Sequence, residues 1–220
     1  MRHLLPLLSL VALAGGARAD LLWHQPATTY TTFRSEREFD TGADFESADD
    51  FDLVGSIERI VVAGYCGSCS GDADVLGVWV RFYAWNAGVP GALQHEVFLP
   101  SGFAGFLHDS DYPVDLEITL PVPFAATGKH FLSVQLVSGA FNEWMVWGTS
   151  PALVMDSPAL QRDNSAGTGW QVQVNGTQPF LGGLGFQLWG EGPPPPPQTT
   201  LVWAQYKDLL GALVPRRSLY

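Results

Sequence analysis

The sequence predicts an all-β fold, an antiparallel β-sandwich of the jelly-roll kind. Apolar and polar side chains alternate along many short segments, which is typical of half-buried strands. The chain also contains 24 Gly and 16 Pro residues without a fixed period, which indicates frequent turns. No segment before residue 198 shows a helical apolar stripe. Many short strands separated by turns favour a sandwich or barrel.

The clearest strand covers residues 78–85. One face carries Trp79, Arg81, Tyr83 and Trp85, and the other carries Val78, Val80, Phe82 and Ala84. The same alternation predicts strands over 116–120, 132–136 and 184–189, and weaker patterns predict them over 57–63, 93–99, 142–147 and 170–174. Residues 86–91, Asn-Ala-Gly-Val-Pro-Gly, predict a hairpin loop after the first strand, and Asn175-Gly176 predicts a second tight turn.

The chain divides into five predicted segments. A basic start, an apolar stretch of about a dozen residues and Ala17-Arg18-Ala19 form the pattern of a secretory signal peptide. Five prolines at 193–197 predict a semi-rigid linker before the tail. The expected segments are a signal peptide at 1–19, an N-terminal extension at 20–43, the β-sandwich at 44–190, a Pro-rich linker at 191–198 and a C-terminal tail at 199–220 that forms either a short helix or a frayed extension.

Charge and export narrow the classes of partner. Eleven basic residues against 22 acidic ones give a net charge of −11, which disfavours nucleic acid and anionic membranes as partners. After removal of the signal peptide no stretch is long and apolar enough to cross a membrane. We therefore expect a protein that is secreted, extracellular or held at the cell surface.

Cysteines and acidic residues offer two candidate structural sites. Cys66-Gly67-Ser68-Cys69 predicts a local disulfide in an exported protein, with a redox role as the alternative. Acidic residues cluster between Glu36 and Asp52, and this charge run is interpreted as solvated surface or, alternatively, as part of a calcium site. The Asp-x-Asp pairs that define the calcium candidate are Asp72 with Asp74 and Asp109 with Asp111. No other cofactor is expected.

Aromatic residues supply the candidate ligand site. The chain has eight Trp residues, and proteins that bind sugars stack flat rings on pyranose faces. The candidate binding residues are Trp79, Tyr83, Trp85, Trp144 and Trp147. The alternative is that these rings fill the core or cover a sheet face.

Catalytic motifs are missing from the sequence. It contains no Gly-x-Ser-x-Gly elbow, no His-Glu-x-x-His and no phosphate loop. A carboxylate pair for glycoside hydrolysis would come from separate strands, and nothing in the sequence selects one. We expect a non-catalytic module that binds a glycan or another cell-surface component. The alternatives are a structural envelope or matrix protein without a ligand site, and a hydrolase on a sandwich fold.

Several short motifs resemble a family of bacterial exported β-sandwich modules. In order, they are Ala48-Asp49-Asp50-Phe51, Phe82-Tyr83 leading to Gly88-Val89-Pro90-Gly91, Gly128-Lys129-His130-Phe131-Leu132-Ser133-Val134 and Trp144-Met145-Val146-Trp147-Gly148. The resemblance covers roughly residues 44–190 and implies a sandwich fold with no catalytic residues to carry over. Members often carry a C-terminal sorting or anchoring segment. Here prolines and Arg216-Arg217 match that segment, whereas Lys207 and Asp208 interrupt its apolar part.

Overall fold

The computed structural model describes residues 19–27, 29–67, 75–100, 104–106, 114–139, 144–150, 157–172, 174–175 and 178–193. This part of the chain is all-β, as predicted, and its sheet is dominated by antiparallel pairs. Among these residues no helix is long and apolar enough to cross a membrane.

The described residues form fifteen strands. They are β1 (Asp20–Gln25), β2 (Thr29–Arg34), β3 (Glu36–Glu38), β4 (Asp44–Gly67), β5 (Val75–Asn86), β6 (Val89–Pro100), β7 (Ala104–Phe106), β8 (Val114–Ser138), β9 (Trp144–Ser150), β10 (Leu160–Asp163), β11 (Gln171–Val172), β12 (Val174–Asn175), β13 (Gln178–Pro179), β14 (Gly183–Leu184) and β15 (Phe186–Glu191).

Two long strands, β4 and β8, organise the fold. They pair antiparallel from Ala48 opposite Ser133 to Gly64 opposite Val114. The segments 116–120 and 132–136, predicted as separate strands, both belong to β8. Between them, Leu-Pro-Val-Pro at 120–123 has no partner in this ladder, since Ile57 pairs with Phe124 and Arg59 with Thr119. Proline donates no backbone hydrogen bond, so an unpaired bulge is a position that accommodates it.

The core lies between sheet regions built on the two halves of β4. The N-terminal half of β4 pairs with β8 and β10, and β5 and β6 continue this region beyond β8. The C-terminal half pairs with β15, with β9 and with the first part of β8, where Arg59 lies opposite Thr119. The buried ring of Phe51 packs between strands of the two regions. Its centroid lies 6.2 Å from that of Phe82 in β5 and 6.5 Å from that of Phe186 in β15. The arrangement is that of a β-sandwich-like fold.

The hairpin predicted at 86–91 is confirmed. Asn86 pairs with Val89, so Ala87 and Gly88 form a two-residue turn between β5 and β6. Their φ angles are +49° and +86°, the combination that a type I′ hairpin turn requires. At the second predicted hairpin Asn175 belongs to a strand and pairs with Gln178, and the two residues between them lie outside the described residues.

The segment 20–43, predicted as an extension, contributes strands to the sheet. Strand β1 pairs with β15, and β3 pairs in parallel with β8 and antiparallel with β4. Leu22 and Trp23 pack against the main core, which explains why this segment joins the fold. At the other end, β15 extends to Glu191 in the predicted linker, and the tail lies outside the described residues, as does the predicted signal peptide except for Ala19.

Candidate functional site

A hairpin between β10 and β11 carries the candidate site. Its loop has the sequence Asp163-Asn164-Ser165-Ala166-Gly167-Thr168, and Gly167 has a φ of +67° that favours glycine. The Asp163 carboxylate accepts hydrogen bonds from the Ser165 hydroxyl at 2.5 Å and from the Ala166 N–H at 3.1 Å. These are the local bonds that Asp forms in turns, and they hold the loop in one shape.

The loop is also tied to the neighbouring strand β4. The Asn164 side-chain amide donates to Asp44 Oδ1 at 2.9 Å, and the Asn164 backbone N–H donates to the Asp44 carbonyl at 2.7 Å. The Thr168 hydroxyl closes the loop by accepting from the Asp163 N–H at 2.7 Å. A loop fixed at both ends positions its polar groups without a further ordering cost on binding.

Beside this hairpin is a cleft of about 290 Å³. Its lining comes from β4, β10, the loop and β11, namely Phe45, Gln161, Arg162, Asp163, Thr168, Gln171 and Val172. Asp163 pairs with Phe45, and Gln161 pairs with both Ser47 and Gln171. Directly paired residues face the same side of a sheet, so a ring, a carboxylate and two amides converge on one patch.

The Asp163 carboxylate is ionised at neutral pH. The hydrogen bond from the Ser165 hydroxyl is the largest cause that lowers the pKa of Asp163, and the Ala166 N–H and the charge of Arg34 lower it further. Arg34 itself contacts the carboxylate of Glu36, lies 3.4 Å from Glu38 and covers the Phe45 ring at 4.7 Å.

An ionic network lies next to the cleft. The fully buried Glu46 carboxylate accepts from Arg162 at 2.5 Å and 3.0 Å and from the Tyr83 hydroxyl at 2.7 Å. Arg81 Nη1 lies 3.5 Å from the same carboxylate. Burial and the neighbouring Glu46 charge raise the pKa of Tyr83, so its hydroxyl stays protonated and donates to Glu46.

The predicted aromatic face on β5 is confirmed, but its rings differ in exposure. Tyr83 is 4% exposed, and the edge of Trp170 packs against it with centroids 5.7 Å apart. Trp79 is half-buried and contacts Phe98, with centroids 4.9 Å apart. Trp85 is half-buried too, and Lys129 Nζ lies 5.2 Å from its ring centroid. The Tyr83 ring is therefore covered, whereas Trp79 and Trp85 keep partial exposure.

The other aromatic candidates lie in β9. Trp147 is fully buried and stacks on Phe186 with centroids 6.4 Å apart, so it fills the core as the alternative interpretation expected. For Trp144 the structure places the backbone in β9, and its side chain lies outside the described residues.

The predicted disulfide and calcium residues lie largely outside the described part of the chain. This holds for Asp72, Asp74, Asp109, Asp111 and Cys69, and the Cys66 side chain is not described although its backbone belongs to β4. Among the residues that are described, no three His, Cys, Asp or Glu side chains form a group able to hold a metal ion. The disulfide and the calcium site stay predictions.

The interpretation of the acidic run as solvated surface is wrong for most of its members. Five of its residues are buried, namely Glu36, Glu38, Glu46, Asp49 and Asp50. Glu46 is buried because Arg162 and Tyr83 supply its hydrogen bonds from distant strands.

The sequence reasoning also missed the cleft residues. The one local signal for them was the run of turn-forming residues at 163–168, which marks a tight loop between two strands. The fold and the site together define a β-sandwich-like protein with a polar cleft at one sheet region. No family model, no curated protein and no solved structure matches this chain.

Proposed function

We propose that this chain is an exported, non-catalytic β-sandwich module that binds a glycan or another cell-surface component in the cleft beside the β10–β11 hairpin. The observation that carries the proposal is the set of groups in one cleft, namely an aromatic ring, an ionised carboxylate and the Gln171 side-chain amide. Export and the resemblance to exported modules are expectations from the sequence that agree with this function.

The chemistry of the cleft suits a sugar. A pyranose presents an apolar face of C–H groups and a rim of hydroxyl groups that donate and accept hydrogen bonds. Val172 and the part of the Phe45 ring that Arg34 does not cover supply apolar surface, while Gln171 and Asp163 supply polar groups. At about 290 Å³ the cleft is at the small end of ligand sites, which favours one or two sugar rings over a long chain.

The expected affinity is modest. One stacked ring and a few hydrogen bonds at a partly solvated site support a binding free energy of roughly 4–8 kcal/mol, which corresponds to millimolar to micromolar dissociation constants. Such affinities are sufficient for modules that act in several copies on a polymer.

A structural role without a ligand is the second candidate. It is favoured by the burial of Tyr83 and Trp147, which removes two of the five candidate rings from contact with a ligand. On this view the chain contributes a stable β-sandwich to an envelope or matrix, and the cleft is a surface irregularity.

A glycan array followed by calorimetry separates the two candidates. We expect one class of glycan to bind and Gln171→Ala to weaken that binding about tenfold, because it removes hydrogen bonds to a ligand hydroxyl. Gln94→Ala is the matched control, since Gln94 is also an exposed glutamine and lies on β6. Absence of binding to any glycan would favour the structural role, and turnover in glycosidase or esterase assays would favour a hydrolase. Calorimetry with calcium alone tests the predicted cation site.

A further inference from the structure

We propose that the cleft selects a neutral saccharide, whose neighbouring hydroxyl groups donate to the Asp163 carboxylate, and that it rejects uronic acids and other anionic sugars. This inference rests on the proposed function and names the class of ligand. It is carried by the charges around the cleft.

Both arginines near the cleft already face carboxylates. Arg162 donates twice to the buried Glu46 carboxylate, at 2.5 Å and 3.0 Å. Arg34 contacts the buried Glu36 and lies 3.4 Å from Glu38. Recognition of a ligand carboxylate needs a guanidinium that can turn its donors towards the ligand. Turning Arg162 away would remove two hydrogen bonds from the buried Glu46 carboxylate and leave it only the Tyr83 hydroxyl and Arg81 at 3.5 Å, which is unfavourable.

Asp163 provides a negatively charged hydrogen-bond acceptor in the cleft. Its carboxylate is ionised and forms no salt bridge with another residue in the described part of the chain, although the charge of Arg34 helps to lower its pKa. The Ser165 hydroxyl and the Ala166 N–H bond to Oδ1, and the Ser165 backbone N–H also donates to this carboxylate. A carboxylate offers about four acceptor sites, so three protein donors leave capacity for a ligand hydroxyl, and an ionised acceptor binds a hydroxyl group more strongly than a neutral one.

An anionic sugar would meet repulsion at short and long range. A ligand carboxylate in this cleft would lie close to Asp163, and like charges in one site disfavour each other. The whole chain adds a net charge of −11, which repels anions at low ionic strength. A neutral sugar avoids both effects and uses its hydroxyl groups as donors.

Calorimetry or NMR titration with matched sugars tests the inference. The probes are glucose with glucuronate and galactose with galacturonate, each at low and at high salt. We expect the neutral member of at least one pair to bind about tenfold or more tightly than its uronate. We also expect the neutral sugar's affinity to be nearly independent of salt, because no ligand charge is involved.

Asp163→Asn is the decisive variant. Asparagine keeps an oxygen that accepts from Ser165 and Ala166, so the loop is retained, and circular dichroism checks the fold. We expect the neutral sugar to bind about fivefold to tenfold more weakly and the discrimination against the uronate to narrow. Asp52→Asn is the control, because Asp52 is an exposed residue of the same strand as Phe45, roughly 23 Å along it.

The outcomes distinguish this inference from the function on which it rests. Tighter binding of a uronate than of its neutral partner, or unchanged discrimination in a folded Asp163→Asn variant, would overturn the neutral-ligand inference and leave glycan binding intact. Failure of every neutral and anionic sugar to bind the wild-type protein would overturn both.

Discussion

Replacing Glu46 by glutamine tests whether the buried ionic network stabilises the fold. Glu46 is fully buried, and its carboxylate faces two guanidiniums and one hydroxyl. Glutamine preserves the size of the side chain and one acceptor oxygen, so the change removes the charge with little loss of packing. After the substitution Arg162 has lost its ion-pair partner, while Arg81 still has Glu96 at 2.7 Å.

The expected loss of stability is about 3 kcal/mol. Breaking a buried ion pair by removing one partner costs about 3–5 kcal/mol, because a charge is left without compensation. The lower end applies here, since the Arg162 side chain is 28% exposed and water solvates it in part. With a denaturant dependence near 2 kcal/mol per molar urea, the unfolding midpoint falls by about 1.5 M.

Urea unfolding followed by tryptophan fluorescence measures this change. Glu96→Gln is the matched control, because Glu96 pairs with the same Arg81 at 2.7 Å but is 38% exposed. Exposed pairs contribute about 0–1 kcal/mol, so its midpoint shifts by less than about 0.5 M. Adding Arg162→Met to Glu46→Gln removes the uncompensated cation, and we expect part of the lost stability to return.

Equal midpoints for Glu46→Gln and Glu96→Gln would refute the reasoning. So would a double variant that is less stable than Glu46→Gln by the full cost of a second, independent substitution. Either result would mean that water or another group already compensates the Arg162 charge.

Three further variants test other parts of the structure. Ala87→Asn should stabilise the fold by about 0.5–1 kcal/mol and so raise the melting temperature, because asparagine tolerates the φ of +49° that strains alanine. Ala92→Asn on β6 is the control and should leave the melting temperature unchanged. Burial raises the pKa of Asp49, so the folded state binds this proton more tightly than the unfolded chain. Its contribution to stability is therefore fully present below the unfolded pKa and is lost as the pH rises through the folded pKa; urea unfolding across a pH series should show this loss in the wild type and not in Asp49→Asn. Gly183→Ala should cost about 1–3 kcal/mol in a thermal melt, because a Cβ there would overlap the side-chain amide of the buried Gln25, whereas Gly169→Ala, which meets nothing within 4 Å, should be nearly neutral.

Local patterns predicted much of the fold. Alternation along 78–85 placed Trp79, Tyr83 and Trp85 on one face, and the structure confirms it because successive strand residues point to opposite sides. The hairpin at Ala87 and Gly88 was predictable for the same reason, since turn chemistry depends on a few adjacent residues. The alternation does not show which face other strands cover, so the exposure of Tyr83 was not predictable.

The candidate site depends on contacts between distant residues. Glu46 and Arg162 are 116 residues apart, and in the sequence the glutamate is one member of an acidic run that charge alone assigns to the surface. The cleft likewise exists because β10 pairs with β4 and brings Asp163 opposite Phe45. By itself the sequence determined the strand faces and turns, because those follow from the backbone geometry of neighbouring residues. The burial of charges and the shape of the cleft were decided only by the tertiary structure, because both depend on which strands become neighbours in the sheet.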